Sequence, residues 1–272
     1  MALESFQVLY EADLPVYKLP ADLHHVYGRL GFATAVLFSN FVTTVDGVAT
    51  LGSKPSAGSI ISGKYPADRF LMGLLRACAD AVVIGAGTLR ATPGHLWTPA
   101  HVYPDLATEF IALRSALGRA TEPQLVVVTA SGNIDASHPA LVRGALVITT
   151  DDGAVAIGDR LPATCEVIAM GKGASVDLRE AVAALRSRRL EVVLTEGGPH
   201  LMGRLIEGGL LEEVFLTISP VIAGRDSEPR MGMVQGVELL PELGVWGSLL
   251  SARRHGDHLF LRYRMPARVA RA

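Results

Sequence analysis

The sequence has few of the features that mark secreted, metal-dependent or membrane proteins. Cysteine occurs only at Cys78 and Cys165, outside any CxxC spacing, so we predict neither a disulfide framework nor a zinc site and expect a reducing compartment. No apolar run approaches the roughly 20 residues that span a bilayer. The N-terminus lacks a basic segment followed by an apolar core, unlike a signal peptide. We therefore expect a cytoplasmic protein with no membrane partner.

Two further function classes also lack their signatures. Basic residues are scattered, and 25 of them against 27 acidic residues give a net charge of −2, so no basic face predicts nucleic-acid binding. The eight histidines form no HxE, HxH or HExxH motif, and no metal site is predicted. GxSxG and GxxxxGK[ST] motifs are missing as well. Isolated histidines such as His95, His200 and His255 are interpreted as surface or structural residues.

Short apolar runs alternate with amphipathic segments through most of the 272 residues. This order is typical of an α/β fold with a mainly parallel central sheet and helices on both faces. Near the C-terminus, apolar and polar residues alternate around His255-Gly256-Asp257, which predicts an antiparallel hairpin. The predicted organisation is an irregular N-terminal leader over residues 1–30, a single domain over 31–266 and a C-terminal tail over 267–272.

Two glycine-containing segments follow predicted strands, at the positions where parallel α/β sheets bind ligands. In EGGPHL, residues 196–201, Gly197 and Gly198 let the backbone approach a phosphate, and Pro199 suits the first helical position. In GAGTLR, residues 85–90, arginine replaces the third glycine of the dinucleotide fingerprint. Taken alone, each segment is also compatible with a turn that binds no ligand.

Three longer segments occur in a characteristic order: FSNFVTTVDGVAT, LLRACADAVVIGAGTLRATPGHL and VVLTEGGPHLMGRLIEGGLLEEVFLTISPVIAGR. Over about residues 33–264, the chain therefore resembles the pyrimidine reductase of riboflavin biosynthesis, which is the reductase domain of a bifunctional deaminase-reductase. The resemblance implies a dihydrofolate-reductase-like fold, a homodimer and NADPH as the hydride donor. It also implies a small phosphorylated heterocycle as substrate, namely a ribosylamino-pyrimidinone 5′-phosphate that is reduced to its ribitylamino form. The HxE and PCxxC motifs of the zinc deaminase domain are absent from the sequence.

The resemblance also implies roles for individual residues. Arg76 matches an arginine at the substrate phosphate, and Glu196 matches a glutamate at the substrate. Asn40 and Asp46 match polar positions at the end of the first strand. Asn40, Arg76 and Glu196 are thus predicted to bind substrate, and Asp46 and Glu196 to be catalytic. The predicted cofactor-binding residues are Thr88, Thr92, Gly171, Gly197, Gly198, Pro199, His200 and Leu201.

Two of these carboxylates have a second interpretation. Glu196 directly precedes the predicted anion-binding turn, yet successive side chains of a strand point to opposite faces, so its carboxylate can turn toward the substrate. Alternatively, Glu196 is an exposed strand-end residue that caps the following helix. Asp46 either orients or protonates the sugar end of the substrate, or it forms the turn of an Asp-Gly hairpin.

The substrate half departs from the family pattern. Where the family has Asp-Asp-Pro, this sequence reads RATPGHLWTP without an acidic pair, and Thr92 stands in place of an Asp. The segment SIISGKYPADR also differs. Two alternative functions therefore stay open. One is a same-fold NADPH reductase of another heterocycle, such as a pterin or dihydrofolate, and the other is a nucleotide-binding protein without turnover.

Overall fold

The structure is a computed structural model that describes residues 3–52, 57–226, 230–242 and 244–266. Its strands are β1 (Gln7–Glu11), β2 (Val36–Thr44), β3 (Ala81–Gly85), β4 (Gln124–Val128), β5 (Leu146–Thr149), β6 (Glu166–Ala169), β7 (Val192–Thr195), β8 (Glu213–Ser219), β9 (Ser248–His255) and β10 (His258–Arg264). Its α-helices are α1 (Ala21–Tyr27), α2 (Ala57–Ile61), α3 (Pro66–Cys78), α4 (Ala86–Ala91), α5 (Pro99–Val102), α6 (Ala107–Ala116), α7 (Pro139–Arg143), α8 (Asp151–Ile157), α9 (Leu178–Ser187) and α10 (Pro199–Glu207). Within these ranges, no helix has both the length and the apolar character needed to cross a bilayer.

The strands form a single sheet in the order β1-β9-β10-β8-β2-β7-β3-β4-β5-β6. The strands from β8 to β6 run parallel to their neighbours, whereas β10, β9 and β1 are added antiparallel at one end. A turn at Gly256 and Asp257 joins β9 to β10. The predicted α/β class, the mainly parallel sheet and the antiparallel C-terminal hairpin are confirmed.

Helices cover both faces of the parallel strands, as predicted. On one face, Val82 of β3 belongs to the same core as Leu74 of α3 and Phe110 of α6. On the other face, Val193 of β7 belongs to a second core with Leu205 of α10. Burial on both faces explains why these strands are almost unbroken apolar runs in the sequence. We refer to the two sides as the α3 face and the α10 face.

The predicted irregular leader contains regular structure instead. Its strand β1 pairs with β9, and α1 packs with Tyr27 buried. The guanidinium of Arg253 in β9 donates to the carbonyl oxygens of Tyr27 and Arg29, and it forms an ion pair with Glu11. These contacts join residues 226 and 224 positions apart in the sequence. Local periodicity could not reveal them, because β1 and α1 are short and depend on distant partners.

The leader and the following residues share one core. Phe6 is buried, and its ring centroid lies 4.8 Å from that of Phe260 and 6.0 Å from that of Phe70. The division into a domain over residues 31–266 stays a prediction. The predicted tail, residues 267–272, lies outside the described residues.

Candidate active site

Several predicted site residues lie beyond the carboxyl ends of the parallel strands. Thr195 of β7 is in register with Ser39 of β2 on one side and Val83 of β3 on the other. Asn40 and Glu196 each follow these paired residues, so they lie at the same height in the sheet. Glu196 lies just past the end of β7, whereas Asn40 lies within β2, which continues to Thr44. Parallel α/β sheets bind their ligands at this edge. In the part of the chain that the structure describes, no cluster of three His, Cys, Asp or Glu side chains could hold a metal ion.

The EGGP segment forms the turn between β7 and α10. Gly198 is the N-cap residue and Pro199 is the first residue of α10, a position where the missing N–H of proline costs nothing. The N–H groups of His200 and Leu201 have no acceptor among the described residues. Free N–H groups at the start of this nine-residue helix, together with its dipole, favour an anion.

The two glycines of this turn have different roles. A Cβ atom at Gly197 would lie 2.5 Å from Cδ2 of Leu201, so a larger residue there would require the Leu201 side chain to move. A Cβ atom at Gly198 would lie 3.5 Å from Oγ1 of Thr88, which is an ordinary contact. The protein therefore leaves free space at Gly198, and Thr88 borders that space.

The GAGT segment reaches the same space from the neighbouring strand. Gly85 ends β3 and Gly87 lies in α4, and a Cβ atom at either would meet nothing within 4 Å. Thr88 lies next in the chain, close to Gly198. The hydroxyl of Thr92 donates to the carbonyl oxygen of Thr88 at 2.8 Å and so helps to end α4. The cofactor contact of Thr92 stays a prediction, while the two glycine-containing segments border one open space.

Gly171 lies some distance from that space. It follows β6 with a φ of +74°, and a Cβ atom there would meet nothing within 4 Å. β6 is four positions from β7 in the sheet, which corresponds to about 19 Å at the usual strand spacing. Only an extended ligand, such as a dinucleotide, could contact both Gly171 and the EGGP turn.

Arg76 and Glu196 form a buried ion pair on the α3 face. Nε and Nη2 of Arg76 donate to Oε1 and Oε2 of Glu196 at 2.9 and 2.6 Å. Nη1 donates to the carbonyl oxygens of Leu96 and Thr98 at 3.2 and 3.3 Å, and Nη2 also lies 3.0 Å from Nε2 of His95. The Arg76 and Glu196 side chains are 1% and 10% exposed. All five N–H groups of the guanidinium are thus used within the protein.

This geometry bears on two of the interpretations made from the sequence. Glu196 is buried and Gly198 is the N-cap of α10, so the alternative of an exposed, helix-capping Glu196 is wrong. Arg76 has no N–H group left for a substrate phosphate, so nothing in this geometry supports that predicted contact. The guanidinium instead fixes Glu196, because a bidentate pair holds both carboxylate oxygens in one orientation.

His95 belongs to the same cluster, in keeping with its interpretation as a structural residue. An arginine can only donate, so Nε2 of His95 accepts from Arg76 and the ring proton lies on Nδ1. Burial, and next the positive charge of Arg76, lower the pKa of His95 to about 3, so its imidazole is neutral at neutral pH. No spacing in the sequence indicates this contact, because the loop that carries His95 folds back onto α3.

Asp68 is a further candidate site residue, which the sequence analysis missed. It is buried on α3, beside the hydroxyls of Ser62 and Thr217. Burial raises the pKa of Asp68 to about 6, and the negative charge of Glu196 adds to the rise while both hydroxyls oppose it. Asp68 precedes Arg76 by about two helical turns, a spacing that places both on one side of a helix. That spacing could have identified Asp68 from the sequence.

Asn40 lies on the same face as this carboxyl. It is 9% exposed, and its Oδ1 is buried without a hydrogen-bond partner among the described residues. Phe38 and Leu194 belong to the α3-face core, so strand alternation directs Asn40 and Glu196 toward that face too. A buried amide oxygen without a donor is costly, so Asn40 is a candidate for a ligand or water contact. We refer to Asn40, Asp68 and Glu196 as the polar pocket.

Asp46 is engaged in a turn. Its Oδ1 accepts from Oγ1 of Thr44 at 2.5 Å and from N of Ala223 at 3.0 Å, and its Oδ2 accepts from N of Gly224 at 2.9 Å. These hydrogen bonds, that of Thr44 first, lower the pKa of Asp46 to about 2. The carboxylate therefore joins the end of β2 to the loop after β8. This geometry favours the turn-forming interpretation of Asp46 over that of a proton donor.

A comparison with protein families finds a match over most of the chain. Residues 35–244 match the model of the RibD C-terminal domain. The chain belongs to the RibD C-terminal domain family. The family resemblance inferred from three sequence segments is thereby confirmed. Among curated proteins, by contrast, none matches the sequence significantly.

Solved structures of RibD-type proteins have the same fold. A pyrimidine reductase-like protein from Corynebacterium diphtheriae superposes with a TM-score of 0.68 at 24% identity, covering 90% of this chain and 98% of that one. RibD from Acinetobacter baumannii superposes with a TM-score of 0.63 at 16% identity. The match covers 85% of this chain but only 58% of that RibD chain. The riboflavin biosynthesis reductase Rib7 from Saccharomyces cerevisiae has a TM-score of 0.56 at 13% identity, covering 88% and 94% of the two chains.

Membership of the RibD C-terminal domain family has two consequences. The chain shares its fold with the RibD-type structures, and the description of that fold as dihydrofolate-reductase-like stays an implication of the resemblance. The family is one of reductases, so the chain is assigned as an oxidoreductase.

Proposed function

We propose that this RibD-family chain is an NADPH-dependent reductase of the riboflavin pathway. Its substrate would be a ribosylamino-pyrimidinone 5′-phosphate, whose ribosyl group is reduced to ribityl. One observation supports the proposal: Glu196, which Arg76 holds in place, lies two residues before Gly198, where the protein leaves space beside Thr88. Two ligands, a dinucleotide and a small heterocycle, could therefore meet there.

The residues at the end of β7 fit NADPH. The N–H groups of His200 and Leu201 would bind the diphosphate, while Gly198 and Thr88 would border it. Gly171 would receive the far end of the cofactor. Thr92, Gly197 and Pro199 would shape the two turns. When bound, NADPH supplies the hydride, and the protein holds the two molecules in contact and excludes water.

The ribosyl reduction also requires one proton. A hydride adds to C1′ and the C1′–O4′ bond breaks, so O4′ takes up a proton. Asp68, whose pKa is raised to about 6, can supply that proton near neutral pH from within the polar pocket. Glu196, oriented by Arg76, would accept hydrogen bonds from N–H groups of the pyrimidine. We therefore assign the proton donor to Asp68 and not to Asp46.

A pterin or dihydrofolate reductase is the second candidate. Asp68 and Glu196 are two carboxyl groups close enough for the charge of one to affect the other, and a 2-amino-4-oxo ring presents neighbouring N–H groups that could donate hydrogen bonds to such a pair. The loop with His95, which lacks the acidic pair of the family, holds Arg76 through its own backbone. These features suit a substrate that differs from that of the typical family member.

An assay of NADPH oxidation with a substrate panel tests the proposal. We expect turnover with the ribosylamino-pyrimidinone phosphate and little with dihydrofolate. Turnover with dihydrofolate alone would establish the second candidate. Tight NADPH binding without oxidation by either substrate would instead identify a nucleotide-binding protein. NADH in place of NADPH measures cofactor preference in the same assay.

We also propose that the enzyme is a homodimer. β1 is an edge strand, and the side chains of Val8, Leu9 and Tyr10 are 49%, 51% and 49% exposed. A second copy of the chain would cover this apolar edge. Sedimentation equilibrium should give twice the chain mass, and Leu9→Lys should shift the protein toward the monomer. A monomer at all concentrations would contradict the proposal.

A further inference from the structure

A cavity of about 510 Å³ lies at the sheet edge opposite the candidate active site. Asp80, which directly precedes β3, and Gln124, the first residue of β4, line it, so it opens at the amino ends of the strands. The charged lining residues are Asp80, Arg114, Arg119, Glu122, Arg143 and Arg189. A cavity of this volume is large enough for a small metabolite. It shares no lining residue with the EGGP turn or the polar pocket.

The cavity has an excess of positive charge. Asp80 pairs with Arg119 at 2.7 Å, and Glu122 pairs with Arg143 at 2.7 Å. Arg114 and Arg189 have no carboxylate partner among the described residues. Two of the four arginines are thus uncompensated by the protein itself.

Two of these arginines are buried with unused N–H groups. Arg114 is 1% exposed, and its Nε and Nη1 donate to backbone carbonyl oxygens, whereas Nη2 has no acceptor among the described residues. The side chain of Arg119 is 10% exposed, and its Nη1 is buried without a partner in the described part of the chain. Burial, and next the charge of Arg119, lower the pKa of Arg114 to about 10. Two neighbouring buried cations with unfilled donors are costly.

We propose that this cavity binds a small oxyanion of the phosphate or phosphate-monoester class, held by Arg114 and Arg119. Such an anion would accept from the unused N–H groups, and its charge would offset the repulsion between the two guanidiniums. Arg143 and Arg189 at the rim would attract it. The inference is independent of the proposed reductase function, because it involves other residues, which lie at the amino ends of the strands and not at their carboxyl ends.

The anion would also lie behind the candidate active site. Nη1 of Arg114 donates to the carbonyl oxygen of Arg76 at 3.1 Å. Leu96 and Thr98 line the cavity, and their carbonyl oxygens accept from the Arg76 side chain. The same residues therefore contact the proposed anion site and hold the partner of Glu196.

Tryptophan fluorescence provides a local readout. The chain has two tryptophans, of which Trp97 is 4% exposed and lines the cavity, while Trp246 is 80% exposed. In the Trp246→Phe protein, sodium phosphate titrated at constant ionic strength should change the Trp97 emission saturably. Sodium chloride at the same ionic strength should not. Absence of a saturable phosphate effect would overturn the proposal.

Variants in the Trp246→Phe background locate the binding. Arg119→Lys keeps the positive charge beside Asp80 but removes the guanidinium N–H groups, and should weaken phosphate binding about tenfold or more, the loss expected for one charge-assisted hydrogen bond. Arg254→Lys makes the same change at an exposed arginine on β9 and should leave binding unchanged. If Arg119→Lys fails to fold, Arg189→Gln at the rim replaces it and should weaken binding several-fold. Equal affinity in the folded cavity variant and in the control would overturn the proposal.

Discussion

The two halves of the candidate site are built from different parts of the chain. The cofactor half consists of backbone: glycines at 85, 87 and 198 leave space, and N–H groups at the start of α10 point into it. The substrate half consists of buried side chains, with Arg76 fixing Glu196 beside Asp68. Added volume at these glycines would meet little of the protein but would fill the space that the first half leaves. The second half depends on each charged group having its partner.

Removing Arg76 should have the largest effect, because it breaks the ion pair on which the substrate half depends. Arg76→Ala leaves the buried Glu196 carboxylate without its cation, which should lower the free energy of unfolding by about 3–5 kcal/mol. Denaturant unfolding measures the change. The matched control is Arg143→Ala, which breaks an exposed pair with Glu122 and should cost at most about 1 kcal/mol. Similar losses in both variants would show that the buried ion pair contributes no more to the free energy of unfolding than the exposed pair does.

Asp68→Asn should lower kcat about 100-fold if Asp68 is the proton donor. The carboxyl must be protonated to donate, so kcat of the parent enzyme should fall as pH rises through about 6, and the variant should lose this dependence. A pH profile of kcat for both enzymes measures it. Asp46→Asn serves as the comparison, because the two assignments predict opposite outcomes. Loss of the pH dependence in Asp46→Asn, and not in Asp68→Asn, would return the role to Asp46.

Gly198→Val should affect the cofactor half alone. The added Cβ meets only Thr88 of the protein, at an ordinary distance, and the side chain fills the open space, so the Kd for NADPH should rise about tenfold or more. Gly58→Ala, whose Cβ also makes an ordinary contact 3.6 Å from Val42, is the control. Fluorescence titration measures the affinity, and circular dichroism checks the fold. An unchanged Kd in folded Gly198→Val would remove the EGGP turn from the cofactor site.

A fourth prediction concerns pH and stability. The unfolded chain protonates His95 below about pH 6.5, whereas the folded chain with its pKa of about 3 does not, so stability is lost as pH falls below 6.5. Asp68 acts oppositely: the folded form keeps its proton up to about pH 6, so stability is lost as pH rises from 3.8. His95→Gln keeps an acceptor for Arg76. It should change the slope of the free energy of unfolding against pH by about 1.4 kcal/mol per pH unit. Equal slopes in both proteins between pH 4 and 6 would contradict this.

The same contrast explains what the sequence could predict. The cofactor half is local, since EGGPHL and GAGT each carry their glycines and helix start within six residues, and the alternation of apolar runs indicated the sheet. The substrate half joins residues from β2, α3, the loop after α4 and β7, with Arg76 and Glu196 120 positions apart. No local pattern records such contacts. The leader was misjudged for the same reason, because its ion pair forms with β9.

The alternation of side chains along β7 has a consequence for the spacing of its last residues. Leu194 belongs to the α3-face core and Val193 to the core on the opposite face. Glu196 lies two residues after Leu194, so its side chain points to the same face as Leu194. Inserting or deleting one residue just before Glu196 would turn its side chain to the opposite face of the sheet. The carboxylate would then turn away from Arg76, and the backbone amides that follow would be displaced by one position. The length of this short strand end therefore sets the face of the sheet toward which the Glu196 carboxylate turns.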